Sequence, residues 1–314
     1  MTKPFNHVAI IGLGLIGGSI GLATQAALPE ARVTAFDASE DVRDRARQIG
    51  LAHEIMDTPA AAVDGADLVV LCVPVRAMGE AAAALKGALK PDAIISDVGS
   101  CKASVAEAIT AALPGQTVIP AHPVAGTEHS GPDAGFAELF RNRWCILTPA
   151  DDAPAAAVGQ LSDFWAAMGA RVEIMEAKHH DLVLAVTSHV PHLIAYTIVG
   201  TASDLEDVTR GEVIKYSAGG FRDFTRIAAS DPTMWRDVFL SNKEAVLEVL
   251  QRFSEDLSAL QRAIRWGDGD TLFDRFTETR AVRRSIIEEG QDDARPDFGR
   301  RDHSGAAKDQ PPKN

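Results

Sequence analysis

The feature that most restricts the fold of this chain is the run Gly12-Leu13-Gly14-Leu15-Ile16-Gly17, which follows the apolar stretch His7–Ile11 directly and opens a helix-like segment. Between a strand and a helix, the first glycine permits a tight turn. The second lets backbone approach a pyrophosphate, and the third lets helix and strand pack closely. The anion then rests on free N–H groups at the helix start. Asp37, twenty residues beyond Gly17, closes a second apolar run. A carboxylate there accepts hydrogen bonds from an adenosine ribose and repels a 2′-phosphate, and no arginine follows at once to reverse that, so the expected cofactor is NAD rather than NADP. Leu71-Cys72-Val73-Pro74 ends another strand candidate, and Val73 and Pro74 are expected to line the same cleft. The plainer alternative is that the glycines only shape a turn.

The first half alternates short apolar runs with helix-like segments, the pattern of a parallel sheet with crossover helices. His7–Ile11, Arg32–Phe36, Leu68–Val73, Ala93–Asp97, Thr117–Pro120, Trp144–Leu147 and Arg171–Met175 are the strand candidates, with a helix over Ala153–Met168. Several runs lack polar alternation, as strands covered on both faces do. The expected fold is α/β, a Rossmann-type doubly wound parallel sheet over residues 1–176, followed by an all-helical domain over 177–290. Ala177–Gly200 reads as a long helix kinked at Pro191, because proline removes a donor and crowds the preceding turn. Phe239, Val246, Leu250, Phe253, Leu257, Leu260 and Ile264 recur at helical spacing. This stripe predicts a symmetric homodimer through the helical half, with intrachain packing as the alternative. Residues 291–314 are polar and charged, and a disordered tail is expected there.

Lys and Arg number 31 against 44 Asp and Glu, a net charge of −13. That balance argues against nucleic acid or an anionic membrane as the main partner. An anionic substrate must therefore meet locally concentrated positive charge. The three cysteines, Cys72, Cys101 and Cys145, are scattered and lack zinc spacing, which suggests a reduced cytoplasmic protein. Neither a signal peptide nor a membrane span is expected.

Two polar clusters follow strand candidates: Ser96–Lys102 and His122–Gly131. Ser100 and His122 are thereby expected at the crevice. A histidine of near-neutral pKa suits a base that removes an alcohol proton while hydride leaves the same carbon. Ser100 would hold the imidazole or the substrate oxygen. A Ser–His pair also suits a hydrolase, but no GxSxG elbow is present and the glycine fingerprint would have no role. His189 and His192, three residues apart on one helix, lack a third ligand, and no metal is expected.

These segments resemble the prephenate/arogenate (cyclohexadienyl) dehydrogenase family over about Val8 to Ile264. The resemblance rests on GLGLIGGS at Gly12–Ser19, DVGSCK at Asp97–Lys102, HPVAGTEHSG at His122–Gly131, SHVPH at Ser188–His192 and GGFRDFTRIAASDPTMWRD at Gly219–Asp237. It implies NAD-dependent oxidative decarboxylation of prephenate or arogenate in tyrosine biosynthesis. His122 resembles the family's catalytic histidine and Ser100 its assisting serine. Arg226 is similar to the arginine that grips the ring carboxylate, and His192 to a pocket residue near the substrate's side chain. Glu128 resembles a gating acid at the pocket mouth, while Arg222, Asp223 and Trp235 match pocket-wall and subunit-contact positions. The family's helical domain is its dimer interface.

The alternatives are a 3-hydroxy acid dehydrogenase of the same layout, in which Lys215 or Lys243 would have to serve as catalytic lysine, and a non-catalytic NAD-sensing protein. A monofunctional enzyme without regulatory or mutase segments is expected. The residues leave open the choice between prephenate and arogenate.

Overall fold

The computed structural model describes residues 4–127, 129–205, 212 and 219–288. The expected tail, Glu128 and Lys215 lie outside the described residues.

Six short parallel strands form the first sheet: β1 (His7–Ile11), β2 (Arg32–Phe36), β3 (Glu54–Ile55), β4 (Leu68–Leu71), β5 (Ile94–Asp97) and β6 (Thr117–Val118). Their order is β3-β2-β1-β4-β5-β6, the arrangement expected of a dinucleotide-binding sheet with its switch point between β1 and β4. β1 and β4 are buried along their whole length because helices cover both faces. On one side Ile10, Leu13, Ile20, Val33 and Val70 join one apolar cluster with Phe164 and Trp165. On the other, Ile11, Val69 and Ile95 pack with Met78, Val105 and Ile109.

A second sheet departs from the expected single one. β7 (Ala121–Pro123) pairs antiparallel with β8 (Trp144–Leu147), which pairs parallel with β9 (Arg171–Ile174). The candidate Thr117–Pro120 shortens to two residues because Pro120 has no N–H to continue a ladder. The chain then turns, and the Pro120 carbonyl accepts from Thr148 N. His122 thus lies within β7, opposite Ile146, rather than after a strand of the main sheet.

Beyond β9 the chain is helical. Helix α7 (Ala177–Leu184) runs into a π turn over Ala185–His189, and helix α8 (Val190–Asp204) follows, with Pro191 in its first turn. The expected irregularity at Pro191 is therefore a widened turn just before it, where the missing N–H is tolerated. The stretch Ala177–Asp204 is 28 residues long and apolar enough to cross a bilayer by length and composition, which the sequence reading did not anticipate. Its buried His180, Asp181 and His189 are hydrogen-bonded to side chains elsewhere in the fold, as buried polar groups require.

The compact units are Met1–Leu250 and Gln251–Asn314. In the first, Val246 of the expected stripe is buried with Ala185 and Val190, and Phe239 packs beside them. In the second, Gly267 adopts φ +70° where the helix Lys243–Trp266 ends and the chain reverses into Gly269–Glu288. Phe253, Leu257, Ile264, Trp266, Phe273 and Phe276 are exposed there. The stripe read as one face is thus divided between intrachain packing and an uncovered apolar surface.

Candidate active site

The glycine fingerprint folds as its chemistry demands. Gly12 sits at φ +102°, and a Cβ on it would stand 2.7 Å from the Cys72 carbonyl oxygen. A Cβ on Gly17 would lie 1.9 Å from the Gly12 oxygen, so helix α1 (Leu15–Ala27) can approach β1 only without it. At Gly14, by contrast, a Cβ would meet nothing within 4 Å, and the helix start there has no side-chain cap. Open space over uncapped N–H groups at Leu15, Ile16 and Gly17 fits a pyrophosphate. Asp37 accepts from Leu13 N through Oδ2 (2.8 Å) and from Ser39 N through Oδ1 (2.9 Å). Both bonds fix the carboxylate beside the glycine turn. Val73 follows β4, its amide 3.1 Å from the position of a Gly12 Cβ, and Pro74 continues outward, exposed.

A chain of contacts leads from this turn to His122. Asp97 ends β5, and its carboxylate is bonded by Gly99 N and by the buried ammonium of Lys102. Lys102 also donates to the Ala121 carbonyl at 2.7 Å, pinning β7 against the end of β5. Its charge is fully buried, and such a group persists only when paired and hydrogen-bonded.

His122 Nδ1 lies 2.9 Å from His180 Nε2, and His180 Nδ1 lies 2.9 Å from Asp181 Oδ1. Asp181 also accepts from the Lys102 and Ala103 amides, and its backbone oxygen accepts from Asn242 Nδ2. Burial pushes the Asp181 carboxyl up, but His180 and the two amides outweigh it and hold it below the ordinary carboxylate range. The His122 imidazole is driven well below 6.5, chiefly by burial, then by the fields of His180, Lys102 and His189. The imidazolium is thus disfavoured here, in place of the expected near-neutral value. Ser100 is half-buried after β5, next to the buried Cys101, whose thiol donates to the Val238 carbonyl.

His192 stacks on Trp235 with ring centroids 3.7 Å apart, and its Nδ1 bonds the Ser188 carbonyl. Its pKa is lowered, first by burial and also by the nearby Arg226 guanidinium, against the Ser188 bond. Arg226 therefore stands beside His192, exposed, at the start of the 3-10 turn Arg226–Ala229. Arg222 and Asp223 are exposed and paired with each other at 3.2 Å, a contact worth little energy. His189 bonds Asn242 rather than sharing a site with His192, and among the described residues no group of three or more His, Cys, Asp or Glu is placed to hold a metal. Lys243 is exposed at a helix start. The sequence reading missed His180, Asp181 and Asn242; the run Lys178-His179-His180-Asp181 was their only local signal.

The buried histidines carry a stability prediction. His122, His180, His189 and His192 are all depressed, first by burial, and His189 reaches about 4. The unfolded chain protonates them near pH 6.5 and the folded chain does not, so the unfolded state binds more protons below that pH. Stability is full above about pH 6.5 and falls on acidification, with a slope of up to about 1.4 kcal/mol per pH unit for each histidine. Thermal melts from pH 8 to pH 5 check this, and a Tm that stays level would refute it.

Fold and site together fit a dinucleotide-dependent dehydrogenase, with a buried histidine beside the sheet. Residues 20–174 match the family "prephenate dehydrogenase, nucleotide-binding domain", and residues 176–278 match "prephenate dehydrogenase, dimerization domain". The cyclohexadienyl dehydrogenase of Zymomonas mobilis is 50% identical over 282 residues, covering 90% of this chain and 96% of that protein. The prephenate dehydrogenase of Bacillus subtilis is 33% identical, covering 90% and 76%. The crystal structure of prephenate dehydrogenase from A. aeolicus with hydroxyphenyl propionate and NAD+ is 31% identical and superposes with a TM-score of 0.83, covering 90% and 98%. The chain belongs to the prephenate dehydrogenase family.

Proposed function

We propose that the chain oxidises and decarboxylates both prephenate and arogenate with NAD, as a cyclohexadienyl dehydrogenase of tyrosine biosynthesis in the cytoplasm. The observation that carries the reading is the buried His122, its Nδ1 2.9 Å from His180 Nε2, in a wall joined by contacts to the Gly12 turn. The 50% identity to an enzyme named cyclohexadienyl dehydrogenase supports the reading.

NAD, when bound, takes up the hydride released from C4 of the ring. His122 Nε2 accepts the C4 hydroxyl proton as that hydride leaves, and returns it to the ring oxygen when CO2 departs and the ring becomes aromatic. No net proton is consumed. Arg226 orients the ring carboxylate, and His192, held flat on Trp235, lies toward the substrate's side chain. Ser100 steadies the hydroxyl end. Arg222 and Asp223 complete the wall, and Glu128, outside the described residues, keeps the gating role that the resemblance implies. The exposed apolar face of Phe253, Leu257, Ile264 and Phe273 is covered by a second copy of the chain.

Reduced-nicotinamide formation with each substrate and each of NAD and NADP tests the reading, and silence from protein that binds NAD would overturn it. Asp37→Ala is expected to raise KM for NAD about tenfold and narrow the preference over NADP, because two ribose hydroxyls lose their acceptor. A parent enzyme that already prefers NADP would sink this assignment.

A further inference from the structure

We propose that His180 and Asp181 are positioning residues for His122, forming with it a three-membered relay that fixes the tautomer of the base and stabilises its charged form. The inference rests on His122 being the base, as above.

The argument runs from the carboxylate outward. Asp181, ionised, can only accept, so His180 Nδ1 must carry the proton between them at 2.9 Å. A neutral His180 then presents Nε2 as a lone pair. His122 Nδ1 must donate to it at 2.9 Å, which leaves His122 Nε2 unprotonated. Without this relay the two tautomers of His122 would compete, and one of them places a proton where the lone pair is needed. When the substrate O–H bond breaks and an Nε2–H bond forms, the new positive charge on His122 faces His180, polarised by the Asp181 carboxylate. No proton has to travel along the relay, and Asp181 stays ionised throughout.

The surroundings make this arrangement necessary. Burial first, and then His180, Lys102 and His189 around it, disfavour a charge on His122. His180 faces Lys102, Asp97 and Asp181. Of these, the carboxylates alone favour an imidazolium, and Asp97 is already bound to Lys102. Asp181 is held in place by Lys102 N, Ala103 N and, through its backbone, Asn242. Because the two amides begin helix α5 (Ala103–Ala112), an Asp181 variant would confuse structure with positioning. His180 is therefore the residue to change.

His180→Leu is expected to lower kcat by about 10²-fold or more, as loss of the tautomer-fixing partner does in other histidine bases, while KM and NAD affinity stay within about threefold. His180→Gln, whose amide can accept from His122 and donate to Asp181, should recover most of that loss. Nitrogen-15 NMR of the histidine rings supplies a readout that packing alone does not move. In the parent protein His122 is expected to be protonated at Nδ1 and bare at Nε2, with an exchange-protected Nδ1–H signal that vanishes in His180→Leu and persists in His180→Gln. Protonation of His122 at Nε2 in the parent would overturn the relay without any variant, even if His180→Leu failed to fold. So would a folded His180→Leu enzyme with parental kcat. A parent that turns over neither substrate is a failure of the functional reading instead, so the two outcomes remain distinct.

Discussion

Replacing His122 with asparagine is expected to lower kcat by about 10³-fold, within the range general-base removal produces, and to leave NAD affinity within about threefold. Asparagine can still donate to His180 from its amide, so the buried network keeps a partner in β7. What disappears is the bare ring nitrogen. The dinucleotide turn at Gly12–Gly17 and Asp37 is built from backbone and one carboxylate that do not touch His122, so cofactor binding should persist. Steady-state kinetics with a separate NAD titration separates the two. Retained turnover would remove His122 from the chemistry, and lost NAD affinity would mean that the substitution had disturbed the fold. A protein that only senses NAD would show neither effect on a reaction, because it would have none.

Arg226→Ala is expected to raise KM for prephenate by about 10- to 100-fold, the worth of a charge-assisted carboxylate contact, with NAD binding intact. The chain carries a net charge of −13, so a dianionic substrate is repelled at long range and must be held by local cations. Arg226 starts the 3-10 turn Arg226–Ala229, which packs against helix α8, the helix that carries His192. Arg226→Lys should fall between the two, since lysine keeps the charge and loses the planar fork. An unchanged KM in Arg226→Ala would take Arg226 out of the site and leave the ring carboxylate to another cation. The buried Lys102 is not a candidate, as its donors are engaged by Asp97 and Ala121.

Much of the cofactor half was legible because its determinants are local. Gly12, Gly14 and Gly17 act through their own backbone, and Asp37 through a fixed distance along one βα unit. Strands such as β1 and β4 announce themselves as unbroken apolar runs. β3 and β7 did not, being two and three residues long, with β7 set between prolines at its start and end. The π turn before Pro191 was visible only as a kink, since a proline tells where a helix is disturbed and not how the disturbance is absorbed. Motif resemblance brought His122, His192 and Arg226 forward one by one, without stating that His192 would stack on Trp235 or that Arg226 would lie beside it.

The doubly wound sheet, the glycine turn, the helical character of the later half and the family were all legible in the order of the amino acids. Each of these depends on residues close in the chain or on a spacing that local geometry converts directly into structure. Only the tertiary structure decided the electrostatics of the base. His122 and His180 are 58 residues apart, and Asn242 is 61 from Asp181. Their pairing depends on β7 leaving the main sheet and α7 packing against it. Burial then adds a desolvation cost that no pattern of residue types expresses. That cost holds the His122 imidazole well below its ordinary value, where a near-neutral one was expected.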